Sequence, residues 1–518
     1  MDLRTRRNFL VEVGRGMITA SLGLAAASEL GFASIFAIED PPRLLFGSLE
    51  PLVDLMIETP ADKLNAVIVG KLKSGTSLRD LVAAAALANA RTFGGEDYIG
   101  FHTMMAFAPA YRMALELPAA RQPLPVLKVL YRNTNHIQER KAPLRDVLAP
   151  VAAAELPKDR NVGDALRDAV RAADLAAADA IFAAIARGGA REAYDALLET
   201  VQDATEVHRV NLPHRAWDLM DVIGAEHAQT LLRQSLHYCV QNEPRTSDRY
   251  KRVRVLLPKL LDEYKLVAKT PGARAADDAW VERTSRLVFE GTPESAAAVA
   301  AGALAEGMAP EAIGEAIALA ANQLLLRDAG RQQKETQPGK GVGSVHGDSI
   351  GLHACDSANA WRGMARAGNP KNTIASLILG AQQVALDRVE RGGDFLKWEP
   401  YPRAEHLAQV KAKDPDGLLR EADAAIRTND QARACAAIHR YGELGHPERA
   451  AFDLLLGFAT SEDGALHAEK YYRTARQEFD AARPAFRWRH ACSLARVTAS
   501  EYGQPAAGQA EARGLLGV

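Results

Sequence analysis

Cysteine, net charge, long apolar runs and alternating strand patterns are all scarce in this chain, and each shortage removes a class of protein. Four cysteines, Cys239, Cys355, Cys435 and Cys492, are spread through 518 residues without a Cys-x-x-Cys. That spacing indicates neither a disulfide framework nor an all-cysteine zinc site. Lys and Arg total 63 against 65 Asp and Glu, so no long-range field gathers nucleic acid, and the expected partner is a small organic molecule. The N-terminal apolar stretch, Met17 to Ala27, is too short for a permanent membrane span and is followed by Glu29. No Gly-x-Ser-x-Gly supplies a serine nucleophile. Gly339-x-Gly341-x-Gly343 lacks the preceding strand and the spacing of a phosphate-binding loop.

What remains is helix. Alanine-rich segments carry apolar residues at helical spacing, as in Val162-x-x-Ala165-Leu166-x-x-Ala169-Val170 and from Ala297 to Leu326. The expected fold is all-α: an internally duplicated array of helical hairpins forming a two-lobed helical bundle. Residues 1–40 read as a twin-arginine-type export signal and linker, because Thr5-Arg6-Arg7-Asn8-Phe9-Leu10 resembles that motif; this predicts a periplasmic or otherwise exported protein. The break at Thr270-Pro271-Gly272 separates a first half, 41–268, from a second, 276–518. Within the second, 416–518 reads as tetratricopeptide-like hairpins.

The duplication is written in the residues. Asp97-Tyr-Ile99-Gly100-Phe101-His102 returns as Asp348-Ser-Ile350-Gly351-Leu352-His353. Upstream, Leu72-x-x-Gly75 through Leu81, Ala84 and Leu87 is matched by Leu304-x-x-Gly307 through Ile313, Ala316 and Leu319. Ala193-Tyr194-Asp195 precedes His208 as Ala451-Phe452-Asp453 precedes His467, and His227-Ala228 is matched by His490-Ala491. The second copy carries an insertion, the glycine-rich loop Arg331 to Ser344, which is a candidate lid.

Three histidines per half therefore occupy corresponding places. Asp97 and Asp348 are suited to cap the helices that carry His102 and His353. Asn211-Leu212-Pro213 predicts a helix start between His208 and His227, and Gly224 a stop, which puts those two on different helices; Pro484 separates His467 from His490. Imidazoles converging from several helices would make a neutral histidine metal site with open positions. The candidate ligands are His102, His208, His227, His353, His467 and His490. Asp97 and Asp348 are candidate catalytic or supporting carboxylates. His346, seven residues before His353, is a further candidate ligand if its helix begins early, and Trp361 and Tyr111 are expected in the core.

Iron or copper, with zinc as a third candidate, is the expected cofactor, in an exported oxidoreductase acting on a small organic substrate. Two alternatives stand beside it: a helical-repeat scaffold that binds without catalysing, and a metal-free enzyme using His102 or His353 as general base. An enzyme should gather the paired histidines in one place; a scaffold should scatter them among helix seams. The segments Val207-His208 through Trp217 to His227-Ala228, and His353-Ala-Cys-Asp-Ser-Ala-Asn-Ala-Trp361-Arg362, resemble exported, all-helical, histidine-rich bacterial proteins of unassigned function. More distantly, the plan is similar to questin-oxidase-like proteins, a likeness that implies oxygen-dependent oxidation of an organic substrate.

Overall fold

Several helices in this protein carry long runs without a solvent-facing side, and that decides where the core lies. In the computed structural model, which describes residues 43–140 and 147–518, every residue from Leu81 to Phe93, from Ala312 to Asn322 and from Asn372 to Asp387 is buried. A helix buried all the way round has to be surrounded by other helices. Alanine and glycine at so many of these positions allow close approach of the neighbours.

Ten helices carry the argument and are numbered here in chain order: α1 Leu78–Phe93, α2 Tyr98–Glu116, α3 Pro123–Glu139, α4 Val207–Ile223, α5 Ala228–Asn242, α6 Pro310–Arg327, α7 Ile350–Ala367, α8 Pro370–Arg391, α9 Ala468–Ala481 and α10 Trp488–Glu501. The protein is all-α. Among the described residues there is no strand, only three isolated bridge pairs. The segments predicted as an export signal lie outside the described residues. Residues Leu45–Val518 cluster as one compact unit, within which helices from before and after the Thr270-Pro271-Gly272 break pack against one another.

At its centre α2, α4, α7 and α9 pack around a closed circuit, each touching the next and α9 returning to α2. Around them α1 and α3 pack on α2, α5 on α4, α6 and α8 on α7, and α10 on α9. In the stretch read as hairpins after residue 416 lie the helices Pro415–Arg427, Gln431–Glu443 and Glu448–Ser461.

The glycine of the repeated Asp-x-Ile-Gly-x-His segment has the same use twice. A Cβ on Gly100 would lie 2.6 Å from the Phe93 ring at the end of α1, and one on Gly351 would lie 2.9 Å from the Leu325 backbone in α6. Each glycine lets the histidine helix press against the helix before it.

Two local expectations are corrected. Pro213 does not start a helix: α4 begins at Val207 and runs through it, since burial of α4 on several sides offsets the one backbone bond a proline removes. Asp348 is not the cap of α7, because Ser349 occupies that position. The glycine-rich loop is tied down: Arg331 and Ser344 are joined by a backbone bond across its neck, and Gln431 Nε2 donates to Gly343 at 2.7 Å. Gly224, with φ +120°, ends α4.

Candidate functional site: a buried histidine quartet

Each helix of the central circuit brings one histidine inward. His102 lies in the second turn of α2, His208 in the first turn of α4, His353 in the first turn of α7, and His467 is the residue before α9. Their rings form a closed loop, with centroid separations of 4.9 Å (His102 to His208), 5.9 Å (His208 to His353), 5.1 Å (His353 to His467) and 5.2 Å (His467 to His102). Around the loop the first and second histidines of each sequence copy alternate, so equivalent histidines stand across from each other.

The outer nitrogens are held by oxygen. His102 Nδ1 faces the Tyr98 carbonyl at 2.7 Å, His467 Nδ1 faces the Ala465 carbonyl at 2.7 Å, and His208 Nδ1 faces Glu206 Oε1 at 2.9 Å. A carbonyl or carboxylate can only accept, so each Nδ1 donates its proton, and in the neutral rings of His102 and His467 the Nε2 is a bare lone pair. His102 Nε2 and His208 Nε2 are buried without a hydrogen-bond partner, and His467 Nε2 lies 3.1 Å from His353 Nε2. Leaving a buried acceptor unmet costs about 1–3 kcal/mol each, so two in one place call for an explanation such as a bound water or ion.

Glu206 is fixed by its own duties. It caps α4, accepting from the amides of His208 and Arg209, and it accepts from the Tyr238 hydroxyl at 2.9 Å. Burial alone would raise its pKa, but His208 and these donors hold it well below the usual carboxylate value. In the second copy the residue two before the histidine is Ala465, whose backbone carbonyl takes over the carboxylate's task. That carbonyl is aimed by three consecutive left-handed residues, Gly464, Ala465 and Leu466, with φ of +59°, +49° and +72°. Alanine and leucine pay about 1 kcal/mol or more for that conformation, a strain that clusters at functional sites.

Around the imidazoles Tyr98, Phe101 and Tyr238 make an aromatic wall, with Phe101 5.0 Å from His208 and Tyr98 4.3 Å from His102. Lys470, one turn after His467 and 4% exposed, makes no hydrogen bond or ion pair among the described residues. Burial, only partly opposed by Asp356 and Glu469, brings its ammonium down to about 7. Burial first, and then the Lys470 charge, drives His102 and His467 far below their usual pKa. Burial, with His208 and Lys470 adding to it, takes His353 to about 3. These three rings are neutral at physiological pH, the protonation state in which imidazole is a ligand or a base.

The third expected pair stands apart. His227 sits half-buried in the short turn Ala225–His227, its ring 6.4 Å from Phe46, while His490 is buried in α10 near Glu478 and Arg362. Neither has a ring contact with the four among the described residues. They correspond in the two sequence copies, and each lies one helix outside the central circuit. Asp97 caps α2 through the Gly100 amide and accepts from His136 Nε2 at 2.6 Å; Asp348 pairs with Arg331 and with Lys340 at 2.7 Å. Neither aspartate bonds an imidazole of the quartet. His346 lies before α7 and meets Ser500 Oγ at 2.7 Å, Cys355 is a buried thiol, and Trp361 is a core residue donating to Gln383 at 2.7 Å. Sequence reading missed Glu206 and Lys470. The one available signal was spacing, two residues before His208 and three after His467.

Fold and site together define an all-helical protein with a quartet of histidines at the centre of four packed helices. No protein-family model matches the chain, and neither a curated protein nor a solved structure matches it. Among the described residues no group of three or more His, Cys, Asp or Glu side chains is already gathered as a metal ion would require. The nearest approach is the His353 to His467 contact. Its 3.1 Å is close to the roughly 3.3 Å that separates two imidazole nitrogens bound to one tetrahedral ion at about 2.0–2.1 Å.

Proposed function

We propose that this protein is a metal-dependent oxidoreductase whose ion is held by His102, His208, His353 and His467. One observation carries the reading: the Nδ1 protons of three imidazoles are committed to fixed oxygens while their Nε2 atoms are buried within one ring of histidines. That arrangement fixes tautomer and orientation as the supporting bonds of histidine ligands do in metal proteins. Imidazole suits iron, copper and zinc; an oxidative role favours the first two. The likeness to questin-oxidase-like proteins and the twin-arginine-type motif point towards an exported enzyme of this kind, acting on a small organic substrate. Gathering of four paired histidines in one place supports a site over a scaffold that scatters them.

In this reading His102, His208, His353 and His467 bind, and Glu206 and the Ala465 carbonyl orient. Lys470 holds or yields a proton beside them, and the buried Phe101 and Tyr238 exclude water. The bound ion would supply the redox chemistry. A second reading has its own support in the His353 to His467 hydrogen bond, which stands without any ion if His353 donates through Nε2; a metal-free base would then be His353 or His102.

Elemental analysis of untagged protein separates the two. Stoichiometric iron or copper in the wild type, lost in a His102→Ala, His353→Ala double variant and kept in His227→Ala, is the expected result. No metal in the wild type after reconstitution would overturn the metal reading.

A further inference from the structure

The quartet has two flanks where the repeated isoleucines, Ile99 and Ile350, lie three residues before His102 and His353 and so on the same helix face as each. A surface cavity opens at each isoleucine, and the two differ in chemistry. At Ile350 the walls are Arg249, Asp328, Arg331, Asp348, Glu390 and Arg391. These are joined in ion pairs such as Arg249 to Glu390 at 2.6 Å and Arg391 to Asp328 at 3.2 Å. A ligand there would have to displace paired charges.

At Ile99 the cavity is about 240 Å³ and its floor includes Leu466, the residue before His467, with Ala506 and Ala507 also lining it. The basic side chains that line it already have partners: Lys128 with Glu469 at 2.8 Å, Arg132 with Asp463 at 2.7 Å, and His136 with Asp97 at 2.6 Å and Glu139 at 3.5 Å. Asp463 and Glu139, the two lining carboxylates, are the acceptors in those pairs. Tyr131, by contrast, makes no hydrogen bond among the described residues. Asn135, also in the lining, donates through Nδ2 to Glu139 at 2.7 Å. The cavity thus offers apolar surface, the free Tyr131 hydroxyl, the Asn135 amide oxygen and no spare charge. Its volume falls below the roughly 300–1,000 Å³ of pockets for drug-sized ligands.

We infer that the cavity between Ile99, Leu466 and Ala507 is a binding site for a small uncharged organic molecule of one or two rings bearing a carbonyl or hydroxyl group, held by Tyr131 beside the quartet. Leu466, in the left-handed run that also aims the Ala465 carbonyl at His467, lines the cavity one residue before that histidine. The inference rests on the proposed function for why such a molecule binds here, and it deepens that reading by naming the substrate class. Binding itself needs no metal.

The test is ligand-observed NMR with 1-indanone on full-length protein stripped of metal by a chelator, alongside indane-1-carboxylate. Wild type should bind the ketone and bind the carboxylate at least ~10-fold more weakly. Ala507→Trp, at an exposed rim position, should fill the cavity and weaken ketone binding at least ~10-fold, and Tyr131→Phe should weaken it several-fold with unchanged thermal unfolding. Absence of ketone binding to wild type, equal binding in wild type and both variants, or preference for the carboxylate would each overturn the inference. Ketone binding lost in Ala507→Trp by a wild type that holds no metal would sink the metal reading and leave this one. Metal present with binding untouched in both variants would do the reverse.

Discussion

Glu206 and Ala465 occupy the same place, two residues before equivalent histidines, and present different oxygens to the same imidazole nitrogen. A carboxylate raises the basicity of the ring it faces more than a carbonyl does, so the two halves of the quartet are electronically unequal. Glu206→Ala should lower metal affinity about 10–100-fold, and Glu206→Gln, which keeps an acceptor and the cap, should lower it less; competition with a chromophoric chelator measures both. A second single-residue effect concerns stability. Glu501 is buried against Gly464, at the start of the left-handed turn, among Glu469, Asp463 and Glu462 with Lys128 as the opposing charge. Burial raises its pKa from 4.5 to about 8. Between those values the folded protein keeps a proton that the unfolded chain has lost, so its contribution to stability is full below about 4.5 and is lost as pH rises through about 8. Glu501→Gln should remove that decline, raising stability at pH 8 relative to pH 5 by on the order of a few kcal/mol compared with wild type. Chemical denaturation at the two pH values reads this directly, and an unchanged pH difference in the variant would count against it.

The helices show why some of this was legible and some not. Apolar periodicity with no strand pattern made the all-α class readable, and the doubled Asp-x-Ile-Gly-x-His segment marked two of the four helices that meet at the centre. Its glycine encodes close packing, which the paired sequences announce without saying against what. Gly100 meets the side chain of Phe93, whereas Gly351 meets the backbone of Leu325. Gly100→Ala and Gly351→Ala should therefore each destabilise the fold by about 1–3 kcal/mol, since the Phe93 Cβ and Cγ that meet Gly100 are held almost as firmly as the Leu325 backbone. Thermal unfolding of the two variants reads both; an unchanged midpoint in either would count against the close packing at that glycine. The third histidine pair lies outside the quartet, because matching sequence preserves the position of a residue in a helix and not what it meets. His227 and His490 lead or begin helices that pack on α4 and α9, His227 half-buried beside Phe46 and His490 buried near Glu478 of α9 and Arg362 of α7. Asp348 was read as a cap from its match to Asp97, but the insertion before it supplies Arg331 and Lys340, and the ion pairs draw it off the helix end. Lys470 and Glu206 left only their spacing from His467 and His208, because a lone charge acquires meaning from the burial that packing provides.

On the scale of the whole molecule the sequence halves and the structural unit do not coincide. Each half supplies two histidines, α2 with α4 from one and α7 with α9 from the other, and the circuit closes only through the cross-half contacts of α4 with α7 and α9 with α2. Hydrogen bonds follow the same crossing: Arg215 on α4 donates to Thr474 on α9 at 2.9 Å, and Lys128 on α3 reaches the Ala459 carbonyl at 2.9 Å. These groups are buried, and separating the halves would leave them unmet along with the apolar faces around them. A protease site inserted between Val267 and Ala268, both exposed, should accordingly yield two fragments that stay together after cleavage, run as one species on a sizing column, and unfold in a single transition. The cleaved pair should keep whatever metal the intact protein holds, and dissociating it in denaturant should release the metal from both fragments, because neither holds more than two of the four imidazoles. Fragments that separate without denaturant, or one fragment that retains stoichiometric metal alone, would show that the quartet is not the shared centre of the fold. The outcome matters for the fold as a whole: each half brings two of the four histidines, and only the cross-half packing of α4 with α7 and α9 with α2 gathers them.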